Sequence, residues 1–188
     1  MNTRDRLNVL SDKIADKTFL KGYGLGNEIS FYVFDYPPED ELVVREGVEV
    51  IINKYLNSSE VKINEINLLE VFVEKLKSRK LYDRVMKEEL KSGKELLIKK
   101  LKPILKPENI SKEIAEHLDK MANIIFITGV GSVYPFIRAH NLLNNLHDKM
   151  ENIPLVMFFP GKYDMQTFRL FEILEDNNYY RAFRIAGR

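Results

Sequence analysis

The sequence predicts a three-layer α/β fold: a mostly parallel sheet of about five strands with helices on both faces. Three observations predict it. The runs IIFIT (124–128) and PLVMFFP (154–160) have almost no polar side chains, the mark of strands buried on both faces. Stretches with helically spaced apolar residues lie between the strand candidates, and strands separated by helices pair in parallel. The 188 residues, 45% hydrophobic and 30% charged, suffice for one core, so the chain reads as a single domain, 1–188.

Along the chain, Leu7, Leu10 and Ile14 place an amphipathic helix within 1–20. The glycines of KGYGLGNEIS (21–30) precede a strand, whereas a dinucleotide fingerprint follows one, so they read as a connection. ISFYVFDY (29–36) is a strand that Pro37 and Pro38 end. Acidic residues then open a helix, 39–56, through Val44, Val48, Ile51 and Tyr55, with Gly47 its weak point. VKINEI (61–66) reads as a short strand and 67–78 as a helix, with a continuous strand through Val73 as the alternative. The charged stretch 80–121 is a Lys-rich helical insert, split by Pro103 and Pro107 into helices at 80–102 and 110–121. Its Lys91, Lys94, Lys99, Lys100, Lys102 and Lys106 form a basic stripe, read as a solvated face. After IIFIT a helix is expected from Val133 through Leu146, with Pro135 in its first turn. After PLVMFFP, Asp164 is expected to cap a helix at 165–175, and YYRAFRI (179–185) to form the last strand. The topology reads as a degenerate P-loop-like one carrying a helical insert.

Composition narrows function. With no cysteine, disulfides, Cys-ligated zinc, iron–sulfur clusters and thiol nucleophiles are excluded. Lys and Arg number 29 against 28 acidic residues, so no global positive field exists and autonomous nucleic-acid binding is disfavoured. The charged start of the chain and the lack of long apolar runs lead us to expect a cytoplasmic protein with no membrane partner.

Ligands of parallel sheets sit at the carboxyl ends of the strands. The candidate rim is therefore Asp35–Tyr36, 128–132 and 160–164. The turn TGVGS offers Ser132 but no lysine, and is too short for a P-loop. Gly129 and Gly131 read as a tight reversal, with one anion at the following helix start as the alternative. Arg138 and Asn141 share a helix face, and His140 falls on the apolar stripe as a core or interface histidine. His spacing argues against a metal site. Asp35 and Asp164 are the two rim carboxylates, and capping explains both more simply than acid–base work. We predict no catalytic residue, cofactor or metal.

FDYPPEDELVVRE (34–46), ITGVGSVYPFIRAHNLLNNL (127–146), PLVMFFPGKYDMQTFRLF (154–171) and DNNYYRAFRI (176–185) resemble the signature blocks of the BrxB family of BREX bacteriophage-exclusion systems. The resemblance implies a small non-enzymatic component encoded beside a large ATPase, a DNA methyltransferase and PglZ, a protein of the alkaline-phosphatase superfamily. It implies association with PglZ in a complex that marks host DNA and blocks phage replication. The blocks coincide with the rim, which makes Asp35, Arg45, Gly129, Gly131, Ser132, Tyr134, Arg138, His140, Asn141, Lys162, Tyr163 and Asp164 candidate partner or anion contacts. An adaptor should expose aromatics, for which Tyr163, Phe168, Tyr179 and Tyr180 are candidates. The alternatives are a degenerate nucleotide- or phosphate-binding domain and a DNA-contacting module using the lysine stripe.

Overall fold

The computed structural model describes residues 1–21, 30–147, 149–150, 153–176 and 182–187. The glycines of 22–29 and Tyr179 and Tyr180 lie outside them. In chain order the elements are α1 (Thr3–Lys13), α2 (Lys17–Leu20), β1 (Phe31–Tyr36), α3 (Glu41–Tyr55), β2 (Ile63–Asn67), α4 (Leu68–Ser78), α5 (Tyr82–Leu101), α6 (Pro107–Glu116), β3 (Ile124–Thr128), α7 (Ala139–His147), β4 (Leu155–Tyr163), β5 (Phe168–Leu170), β6 (Leu174–Asp176) and β7 (Phe183–Arg184). Five strands form a parallel sheet in the order β2-β3-β4-β1-β7, as expected.

Alternation along the strands feeds two cores. Phe31, Val33, Ile125, Ile127, Leu155 and Met157 face α4, α6 and α7. Phe34, Phe126, Val156 and Phe158 face the other way, onto Leu7, Leu10 and Ile14 of α1 and Val44, Val48 and Ile51 of α3. Gly47, the apparent flaw in α3, is where α1 comes closest: a Cβ there would stand 2.5 Å from Leu7 Cδ1. The glycine trades helix propensity for helix–helix proximity.

Four expectations need correction. The expected helix 165–175 is instead the antiparallel pair β5 and β6, which prolongs β4 as a three-stranded ribbon. Phe168, Phe171 and Leu174 have helical spacing, but Phe168 and Leu170 are buried around an exposed Arg169, the period of a strand. The helix expected from Val133 starts at Ala139. Pro135 forces Tyr134 into an extended backbone (ψ 139°), so the chain makes one 3-10 turn at Gly131–Val133 and a further turn over 134–136 before α7. The insert's first helix is not continuous: Gly93, at φ 74° and ψ 168°, folds α5 into two limbs. Lys100 Nζ thereby reaches Glu88 Oε1 at 2.6 Å, across a separation that would span about 18 Å in a straight helix. Finally, α6 starts at Pro107, three residues earlier than the expected helix, and ends at Glu116.

α6 is pinned to α4 by His117, which meets Glu74 at 2.8 Å and the Glu113 carbonyl at 2.7 Å. The carbonyl of Glu113 first, and then the Glu74 carboxylate, raise the imidazole pKa above its ordinary value. The folded state thus favours the imidazolium, and its contribution is complete below the unfolded pKa and fades as pH rises through the folded one. With the side chain 40% exposed, we expect His117→Gln to cost only about 0.2–0.5 kcal/mol at pH 6 and less at pH 8, read as the difference in urea midpoint between the two proteins.

Candidate functional site

At the carboxyl rim of the sheet the predicted residues separate into three places. The first is a buried ionic knot. Asp35, the penultimate residue of β1, is fully buried. Its Oδ1 accepts from the Arg6 guanidinium of α1 at 3.0 Å, and its Oδ2 accepts from the Tyr163 N–H at 3.1 Å and the Arg184 guanidinium at 3.2 Å. Arg6 also donates to the Ala186 carbonyl at 3.0 Å and lies 4.6 Å over the Phe34 ring. Arg184 donates to the Tyr163 carbonyl, and the Tyr163 hydroxyl accepts from the Ala182 N–H at 2.9 Å. The knot joins α1, β1, β4 and β7. Both Asp35 oxygens are engaged internally, so the carboxylate has no free face for acid–base work. Tyr163 and Phe168, expected as exposed interface aromatics, are instead buried and stacked on each other at 4.5 Å.

The second place is a crevice of about 330 Å³ between α3 and the ends of β1, β2 and β3. β1 leads to a helix on one face of the sheet and β2 to a helix on the other. Arg45 and Gly129 line it. So do Tyr36 and Thr128, both within the rim expected from sequence, and Glu41, Glu49, Glu65 and Asn67, which sequence did not place there. Burial, then the bond to Glu41, pushes the Tyr36 phenol far above its ordinary pKa, so it stays protonated and donates to Glu41 at 2.6 Å. Glu41 also holds Arg45 at 2.8 Å, and Glu65 accepts from the Thr128 hydroxyl at 2.7 Å. Asn67 caps α4 at the Leu69 N–H, and a Cβ on Gly129 would stand 2.6 Å from that amide oxygen. Three carboxylates against one guanidinium repel phosphates. Sequence offered a signal for Glu41 only as a helix-start charge; Glu65 and Asn67 become rim residues through the sheet order.

The third place is an apolar groove of about 200 Å³ between the β3–α7 connection and the β5–β6 hairpin. Tyr134, Ile137, Phe159, Leu170, Ile173 and Leu174 shape it, with Arg138 and Asp176 at its edge. His140, buried at the start of α7, bonds through Nδ1 to Asp176, and the Arg138 guanidinium lies 4.0 Å from the other Asp176 oxygen. Three edge side chains are open to solvent: Ile173 is 79% exposed, Leu174 37% and Tyr134 36%. Gly131, in the same β3–α7 connection, is close-packed: a Cβ there would stand 2.9 Å from the Phe171 ring and from Pro160.

The remaining predicted residues join none of these places. Ser132 and Lys162 are exposed, and Asn141 is half-buried on α7, its carbonyl accepting from Asn145. Asp164 does not cap a helix; it folds the β4–β5 turn by accepting from the N–H groups of Thr167 at 2.7 Å and Gln166 at 2.9 Å. The Thr167 N–H foremost holds its carboxyl below the ordinary range. Asp35 and Asp164 therefore do not converge, one buried and the other exposed. No helix N-terminus follows the TGVGS turn directly, so the phosphate-cradling layout is absent at that turn. Among the described residues no helix is long and apolar enough to cross a membrane.

A family model described as BREX protein BrxB matches residues 64–185. A BREX protein BrxB of Bacillus cereus (strain H3081.97) is 39% identical over 187 residues, covering 98% of this chain and 97% of that protein. A BREX protein BrxB of Escherichia coli O9:H4 (strain HS) is 36% identical over 182 residues, covering 96% and 90%. No solved structure matches. Similarity of this extent, through strands, insert and rim alike, places the chain in the BrxB family of BREX proteins.

Proposed function

We propose that the chain is a non-catalytic subunit of a BREX phage-defence system that docks PglZ, the alkaline-phosphatase-superfamily protein, within the defence complex alongside the ATPase and the methyltransferase. The observation that carries this reading is the contrast at the rim. Asp35, His140 and Glu41 are spent on the protein itself, in the knot, on Asp176 and on Arg45, while the apolar groove stands open. Exposed Ile173 and Tyr134 beside a concave apolar floor are the make-up of an interface anchor.

Purified PglZ and this chain are expected to co-elute as a complex at micromolar concentrations. Ile173→Asp is expected to weaken the complex at least tenfold, about 1.4 kcal/mol or more, without changing the thermal midpoint. Failure to form a complex, or wild-type affinity in the variant, would count against the reading. The acidic crevice gives the phosphate-binding alternative no support, and nucleotide should leave the melting temperature unmoved.

A further inference from the structure

Two surfaces on opposite sides of the sheet are complementary in charge and alike in apolar exposure. The first is the tip of the folded insert. Every residue from Glu89 to Leu96 is exposed, and Leu90 is 90% exposed, Met86 51% and Leu96 42%. Residues 80–106 carry nine Lys and Arg against four Asp and Glu. Lys87, Lys91 and Lys94 at the tip make no ion pair among the described residues.

The second surface is the outer side of α3. Leu42 is 70% exposed, Val50 65% and Leu56, just past its end, 64%, with Glu46 and Glu49 between them. Residues 37–60 carry six Asp and Glu against two Lys and Arg. Glu49 has no ion pair among the described residues. Leu42 and Val50 stand about 12 Å apart along the helix, enough to receive one turn of a partner helix such as Met86 to Leu90.

We propose that the insert tip of one copy docks on the α3 face of the next. The insert packs on the α4 side of the sheet and α3 on the other, so one copy cannot bring its own two surfaces together. The contact is therefore head-to-tail, between different patches, and it extends to a ring or a short filament rather than closing as a two-fold dimer. Lysines alone would suit a nucleic acid, but an apolar tip with Leu90 almost wholly in water needs an apolar counterpart. The α3 face supplies both that and the opposite charge. This contact is separate from the hairpin groove, so it stands or falls independently of PglZ docking.

The test is sedimentation velocity of the full chain from micromolar to near-millimolar concentration, at low and high salt. Weight-average mass is expected to rise with concentration and to fall back in high salt as the charges are screened. Leu90→Asp and Val50→Asp, both at exposed positions, are each expected to stay monomeric at concentrations where the wild type assembles, with unchanged thermal midpoints. Mixed in equal amounts they should form a one-to-one pair that grows no further, because one retains the α3 face and the other the insert tip. A wild type that stays monomeric throughout would overturn the proposal, as would variants that still assemble or a mixture that fails to pair. So would a salt-dependent shift with duplex DNA in place of self-association.

Discussion

Asp35→Ala should lower the unfolding free energy by about 3–5 kcal/mol, the cost of leaving a buried cation without its counter-charge. The fully buried carboxylate accepts from the guanidinium groups of Arg6 and Arg184, and also from the Tyr163 N–H. Against a total stability of about 5–15 kcal/mol for a domain, such a loss is severe. Asp35→Asn should be nearly as damaging. Its amide oxygen can still accept from Arg6, but its NH₂ would face the donors of Tyr163 and Arg184. Replacing the ions together, as Arg6→Met, Asp35→Leu and Arg184→Met, should recover part of the loss, because no buried charge then remains unpaired. The Tyr163 N–H still loses its acceptor, which holds the recovery below completion. Urea unfolding followed by circular dichroism gives all three values. A loss under about 1 kcal/mol for Asp35→Ala would mean that water replaces the carboxylate, and the knot would not be the fastening described.

Gly161→Ala should be the most damaging single-methyl change at the rim. Gly161 has φ 157°, and a Cβ there would stand 2.2 Å from the Arg169 carbonyl oxygen and 2.9 Å from the Phe159 ring. The nearer obstacle is backbone of β5, which cannot rotate away, so the ribbon must separate from β4. That disturbs the packing of Phe168 between Phe159 and Tyr163 and displaces Ile173 with the hairpin. The cost belongs at the upper end of the about 1–3 kcal/mol typical of overpacking, or above it. Amide exchange in 168–176 should accelerate well beyond that in β1 and β3, and PglZ binding should fall further than stability alone accounts for. Gly93→Ala supplies the contrast. Its Cβ would meet nothing within 4 Å, so only the backbone, in a positive-φ region that essentially glycine alone adopts, opposes it, at about 1–3 kcal/mol. Equal damage from both substitutions would show that the contact with Arg169 is not what requires glycine at 161.

The two central strands, β3 and β4, were legible because a strand buried on both faces must be apolar throughout, and IIFIT and LVMFF satisfy nothing else so well. The ribbon was not. Three-residue strands are too short to separate a period of two from one of 3.6, and Phe168, Phe171 and Leu174 fit the helical one. The delayed start of α7 was readable in Pro135, had its restriction on Tyr134 been weighed above its tolerance at a helix start. At the rim, Gly129, Arg45, Tyr134 and Arg138 do line cavities, but different ones. Asp35 looked like a rim carboxylate because a lone Asp at a strand end gives no sign of its partners. Those partners stand 29 positions before it and 149 after it, too far along the chain for any local pattern to link them. Tyr163 was misread for a related reason: its hydroxyl is satisfied by the backbone of residue 182, which no local pattern reveals.

The knot also sets a clock on biosynthesis. Arg6 and Asp35 leave the ribosome early, but Arg184 and the Ala186 carbonyl follow about 150 residues later, on the order of ten seconds at translation speeds of about 5–20 residues per second. During that interval α1 has its carboxylate but not the closing strand, and β1 has an unpaired edge where β7 will lie. The nascent protein therefore waits, with that sheet edge open and the first helix loosely held, until residues 183–186 seal both at once.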